Sequence, residues 1–405
     1  MQRLLILLLL IILFFALQIS YSQDTINSNN NIIDTLFKKL SPSDTLALRN
    51  FQTQLENLNK IVKNYAFPDC KYFIFGIGER PKYLYKEGLL IKLFTGDTIK
   101  KWSVIKEYYI PNKYKVILFT NFGKKIEIFE APRGIMLNQS GFIMPIQGTE
   151  IPVNVPDFKL YPYSEIMKAL YYDIIINIFE SKPFTNFLTY NTPSIDDAAV
   201  IAITLKRNGN IDLIKKWYEG LHKSLNVNYL KASELGQLLF LSTLFDNKNN
   251  RLNDMVLNAI PRFEINDTIG KYINDSTNMP VYSTKWLKYG LKELQIVNNY
   301  NVPAFDDKYA YLMWHDHKKV YFIDTSFVNS INESLPYSGW AYKNYNKNFM
   351  PYISDQYYPL TYRINKININ TPFIKYLPDA CKNKNIIAPD SRHAAEILLY
   401  LMNNK

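Results

Sequence analysis

Two adjacent carboxylates, Asp196 and Asp197, follow Ser194 at the start of an alanine-rich apolar stretch, residues 195–205. Carboxylates in the first turn of a helix are stabilised by its dipole, and small residues let neighbouring helices approach. The pair is either plain capping chemistry or two acids at the mouth of a cleft. Near the C-terminus His393 and Glu396 fall three residues apart, on one face of a helix whose Ile397, Leu398 and Leu401 continue into a core. A carboxylate beside an imidazole orients the ring and raises its basicity, which suits acid–base work as well as a structural hydrogen bond. Residues 314–317, Trp-His-Asp-His, hold two of the four histidines. His-x-His is a metal-ligand spacing on a strand, and Asp316 adds an oxygen, but a third ligand has to come from elsewhere. Only His222 and His393 are left as histidine candidates, so no metal and no cofactor are expected. Lys285 and Trp286 lie where another helix opens; Trp340 sits among tyrosines in residues 337–342; Asp355 lies close to Tyr357 and Tyr358. Flat rings beside carboxylates suit sugars, whose C–H faces stack while their hydroxyls accept and donate hydrogen bonds.

Other chemistries lack their residues. There is no Gly-x-Ser-x-Gly elbow and no Walker loop, and neither Cys70 nor Cys381 sits in a nucleophile context. Gly76 and Gly78 follow a strand-like run, yet the third glycine of a dinucleotide fingerprint is missing and Pro81 intervenes. The two cysteines either bridge the two ends of the exported chain or remain buried thiols.

The elements that would position these residues change character along the chain. From 32 to 66 apolar residues recur at helical spacing (Leu48, Phe51, Leu55, Leu58, Val62), with Ser43 or Asp44 as the cap. From about 70 to 156, short β-branched and aromatic runs such as 72–75, 113–119 and 125–129 are separated by Gly-containing turns, which predicts a small antiparallel sheet or sandwich. After Pro162 the period becomes helical, over 163–181, 194–207, 210–222, 230–246, 251–260, 282–295, parts of 304–318, and 390–403, with Ser194 and Ser233 as caps. Residues 319–389 read as long Tyr/Asn/Pro-rich loops, a usual place for function.

The 405 residues, 47% hydrophobic and 20% charged, exclude a disordered or collagen-like chain and have room for two or three domains. The formal charge of +11 comes from lysines scattered among acids and aromatics, the mark of a solvated surface and not of a nucleic-acid footprint. Met1-Gln2-Arg3, the apolar run 4–19 and the small residues Ser20 and Ser22 read as a secretory signal, or else as an uncleaved anchor. No later stretch approaches the roughly 20 apolar residues of a membrane span. The expected organisation is a signal peptide at 1–22, a helical segment at 23–68, an antiparallel β-domain at 69–158 and a helical domain at 159–405, in a secreted or periplasmic protein.

The helix start at Asp197, the helix opening at Lys285-Trp286 and the terminal helix carrying His393-Ala-Ala-Glu396 together resemble the six-hairpin, (α/α)-toroid glycosidase superfamily; the chain is also similar to a group of exported bacterial proteins. The resemblance implies an α+β multidomain fold, with N-terminal helices and a small antiparallel β-domain followed by an all-α, toroid-like domain. It implies a poly- or oligosaccharide partner, an Asp at the helix start lining the sugar subsite, and two carboxylates flanking the scissile bond. The acids for those roles are Asp197, Asp355, Glu396 and Asp316. Asp196, Lys285, Trp286, Trp314, His315, Trp340, Tyr358 and His393 are the substrate-binding candidates. The expected function is glycoside hydrolysis. The alternatives are a polysaccharide lyase acting on an acidic glycan, with Tyr as base and His or Lys neutralising the carboxylate, or a glycan-binding scaffold without turnover.

Overall fold

The computed structural model describes residues 40–59, 72–148, 152–188, 190–245, 250–304, 362–363, 387–388 and 391–403. By its contacts the chain forms two compact units, Met1–Asn50 and Phe51–Lys405. In the first lies the start of helix α1 (Pro42–Asn59). Its cap is Ser41, two residues ahead of the earliest expected position. The Ser41 hydroxyl accepts the Asp44 amide at 3.1 Å and donates to the Asp44 carboxylate at 2.7 Å. Pro42 then occupies the first helical position, where its missing N–H would have had no partner anyway.

The second unit is α+β. Strands β1 (Phe73–Phe75), β2 (Tyr83–Lys86), β3 (Leu89–Lys92) and β4 (Thr98–Lys101) make one antiparallel meander. Strands β5 (Val104–Ile110), β6 (Lys115–Thr120), β7 (Lys125–Ala131), β8 (Gly134–Gln139) and β9 (Phe142–Gly148) make a second, five-stranded one. Within each sheet consecutive strands pair, several of them across short turns that contain Gly88, Gly96, Gly123 or Gly141. Strand β6 begins two residues later than its apolar run suggested, because 111–113 form a 3-10 turn and Tyr114 is left-handed at φ 48°. The Tyr114 ring turns into the core, edge-on to Phe73, and its hydroxyl donates to the Ile74 carbonyl at 2.7 Å.

The helices follow: α2 (Ser164–Ile176), α3 (Ile195–Arg207), α4 (Lys215–Ser224), α5 (Ala232–Thr243), α6 (Asn250–Ala259), α7 (Pro280–Glu293) and, after a two-residue strand pair (Tyr362–Arg363 with Ile387–Ala388), α8 (Ser391–Asn403). Helix α2 is shorter than its pattern, since Glu180 and Ser181 take positive φ and turn the chain into a hairpin, β10 (Ile178–Phe179) with β11 (Lys182–Pro183). A further hairpin, β12 (Glu264–Asp267) with β13 (Gly270–Ile273), was not legible as strands. Nearly every face of α2 is buried, which makes it the central helix of the unit. One hydrophobic cluster runs from Phe73, Tyr114 and Leu118 of the sheets through Leu170 and Ile174 of α2 to Leu238, Trp286 and Leu398. No toroid is seen among the described residues, and none of the described helices is long and apolar enough to cross a membrane.

Candidate functional site

Helix α3 starts with Ser194 at the cap position, but the Ser194 side chain makes no capping bond. The two aspartates behind it face different surroundings. Asp197 is buried, and both of its oxygens are taken: one accepts from the Arg392 guanidinium of α8, the other from the Thr185 hydroxyl. The same stretch is held a second time, because the Ser391 amide donates to the Thr185 carbonyl at 2.8 Å and the Ser391 hydroxyl donates to the carbonyls of Phe184 and Thr185. Asp197 therefore fastens α3 and the 184–188 loop to the C-terminal helix. Its expected role at a sugar subsite is not what these contacts serve.

Asp196 lies at the other side of the helix start and is only half-buried. One of its oxygens accepts from the Gln237 amide of α5 and from the Tyr282 hydroxyl of α7 at 3.2 Å. Gln237 in turn lies 3.3 Å from that hydroxyl. Three helices thus converge on one carboxylate. On α5, one turn before Gln237, Glu234 accepts the Lys231 amide at 2.7 Å, while Asp275 accepts the Ala232 amide at 2.6 Å. These two acids cap α5; Ser233, the expected cap, falls inside the helix. Burial pushes the Glu234 carboxyl above its ordinary range, and the negative charges of Asp196 and Asp275 add to the rise, against the Lys231 amide and charge. The two are half-buried carboxyls at neighbouring helix starts, near enough for the charge of Asp196 to act on Glu234.

Lys285 and Trp286 were expected to meet substrate. Both are buried in α7, and Trp286 has no exposed face. Its ring is enclosed by Phe240 at 5.8 Å, Tyr282 at 6.4 Å and Tyr289 at 6.2 Å, so it builds core and offers no stacking platform. The cause is a close approach of α5 and α7. A Cβ on Gly236 would stand 2.1 Å from the Trp286 carbonyl carbon, and one on Gly290 would stand 2.5 Å from the Gly236 oxygen. His393, next to Arg392, and Glu396, about one turn beyond it, are placed on α8, with side chains outside the described residues. Asp316, Asp355, Trp314, His315, Trp340 and Tyr358 also lie outside the described residues, as do Cys70 and Cys381.

Sequence reasoning missed a second polar cluster. Glu130 of β7 is fully enclosed and accepts the amides of Gly76 at 2.5 Å and Ile77 at 3.1 Å, together with the Arg80 guanidinium. Lys82, equally buried, donates to the carbonyls of Gly76 and Gly78. Burial drives its pKa down to about 7, and Arg80 adds to the fall while Glu130 opposes it. Burial also pushes the Glu130 carboxyl up, against Arg80 and the two amides. Gly76 has φ +106°, and a Cβ there would lie 2.3 Å from the Pro81 carbonyl oxygen, so the tight loop tolerates only glycine. The available signal was three charged residues (Glu79, Arg80 and Lys82) crowded around a glycine turn between two apolar strands.

Among the described residues no group of three His, Cys, Asp or Glu side chains could hold a metal ion. Compared with known proteins, the chain matches no family model, no curated protein and no solved structure.

Proposed function

We propose that the chain is an exported carbohydrate-active protein of glycoside hydrolase type, acting at the junction of α3, α5 and α7. The observation that supports this reading is the Asp196–Glu234 pair. Glu234, raised by burial and by Asp196, is suited to protonate a leaving glycosidic oxygen. Asp196, held by Gln237 and Tyr282, is placed to activate water or to stabilise the positive charge of the oxocarbenium-like transition state. Asp316, Asp355 and Glu396 remain proposed partners for the same chemistry.

The test is release of reducing ends from a panel of neutral and acidic oligosaccharides. Asp196→Asn and Glu234→Gln should each lower turnover by about a hundredfold or more while leaving the fold intact. Wild-type rates in either variant would remove the pair from the chemistry. Glycan binding without any turnover would favour the scaffold reading.

The lyase alternative would take Tyr282 as base and Lys285, three residues on along α7, as the cation for a uronate carboxylate, but both are buried. The negative Asp196 beside Tyr282 would also repel that carboxylate, which is why hydrolysis is the preferred reading. An unsaturated, ultraviolet-absorbing product would reverse the preference.

A further inference from the structure

One end of the five-stranded sheet carries apolar side chains that nothing described covers. The pairs Val104 with Thr120, Phe119 with Lys125, and Gln139 with both Ile126 and Phe142 put the start of β5, the β6–β7 turn and the β8–β9 turn at the same end. There Phe122 is 82% exposed, Phe142 76% and Ile105 62%; along β9 Met144 shares the face of Phe142, while the exposed Ile143 points to the other face. Four interstrand spacings of about 4.8 Å spread these residues over roughly 19 Å. Isolated exposed apolar residues are ordinary, but five gathered at one end of a sheet mark a contact surface.

The charges beside them are positive. Lys124 shares the turn with Phe122. Lys100 and Lys101 lie on β4, whose continuation is tied to that turn by the Asn121 amide donating to the Ser103 carbonyl at 3.2 Å. All three lysines are exposed, and none has an ion-pair partner among the described residues. Nearby acids are largely occupied: Glu107 accepts from Tyr85 and Tyr109, and Glu127 from Lys115, Lys125 and Asn138. Glu87, exposed in the β2–β3 turn, offsets them in part.

We propose that this end of the sheet inserts into an anionic lipid surface. Rings standing singly on turns, backed by lysines, suit a fluid interface: the rings enter the acyl boundary and the ammonium groups meet the headgroups. Strand addition at the β9 edge fits less well, because Pro145 lacks an N–H there and a register shift between Ile135 and Met136 distorts the neighbouring ladder.

The test is sedimentation of the full chain with vesicles of phosphatidylcholine, with and without phosphatidylglycerol. Wild type should bind the anionic vesicles and lose affinity in about 1 M salt, where the screening length falls to about 3 Å. Phe122→Ser/Phe142→Ser should bind at least about tenfold more weakly, with an unchanged melting temperature because both side chains are exposed. Equal binding by wild type and variant would trace the adsorption to another segment, such as the apolar residues 4–19, and would overturn the proposal. So would binding that ignores phosphatidylglycerol, or a vesicle-free self-association that the double substitution abolishes.

Discussion

Asp196 and Asp197 are neighbours whose surroundings give them opposite tasks. A helix turns 100° per residue, so one carboxylate faces the loop and C-terminal helix while the other faces α5 and α7. Asp197 closes an ion pair across 195 residues of sequence with little water around it. Removing one partner of such a pair strands the other. Arg392→Met should therefore destabilise the protein by about 3–5 kcal/mol in urea unfolding, and Asp197→Asn/Arg392→Met should recover a substantial part of that loss. A double variant as unstable as the single one would mean that packing of the arginine stem, and not the charge, was what mattered. The acidic dipeptide and the arginine were each plain in the sequence. Their pairing was not, because no local rule links positions so far apart. Glu234 escaped notice for a related reason: it looks like an ordinary first-turn acid until burial and Asp196 raise its pKa.

At the scale of elements, the helical period located α2 to α8 with errors of a few residues, and the apolar runs between turns located β1, β6 and β7 and the antiparallel character of the sheets. What periodicity could not supply was the depth to which one helix sinks into another. Gly236 and Gly290 let α5 and α7 touch backbone to backbone, which draws Trp286 out of any cleft. Gly236→Ala has no room for its methyl and should cost about 2–3 kcal/mol. Gly220 of α4 is the control, since a Cβ there meets nothing within 4 Å. Gly220→Ala should stabilise by about 0.5–1 kcal/mol through helix propensity. Thermal melts of the two variants check the contrast, and a harmless Gly236→Ala would contradict the close approach.

At the scale of the whole molecule, the sheets and helices of the second unit share one core, and the charges enclosed by it make stability depend on pH. Lys82 ordinarily titrates near 10.5 but falls to about 7 in the folded protein. Between those values the unfolded chain holds a proton that the folded chain has released, so stability rises with pH across that window. Below about pH 7 both states carry the proton and the whole desolvation cost is present. Wild type should therefore gain stability relative to Lys82→Met from pH 7 to 10, by up to about 1.4 kcal/mol per pH unit. Parallel pH profiles for the two proteins would show that Lys82 keeps an ordinary pKa. Sequence by itself determined the α+β class and the order of strands before helices, because hydrophobic period and turn chemistry are local. It also brought the Asp196-Asp197 dipeptide to notice, because first-turn acids are a local signal. Only the tertiary structure decided that Asp197 is a fastener, that Asp196 stands near a Glu234 whose pKa is raised by burial, and that Trp286 is core. Burial and electrostatic coupling are set by whatever distant segments fold against a residue, and that is not written at the residue's own position.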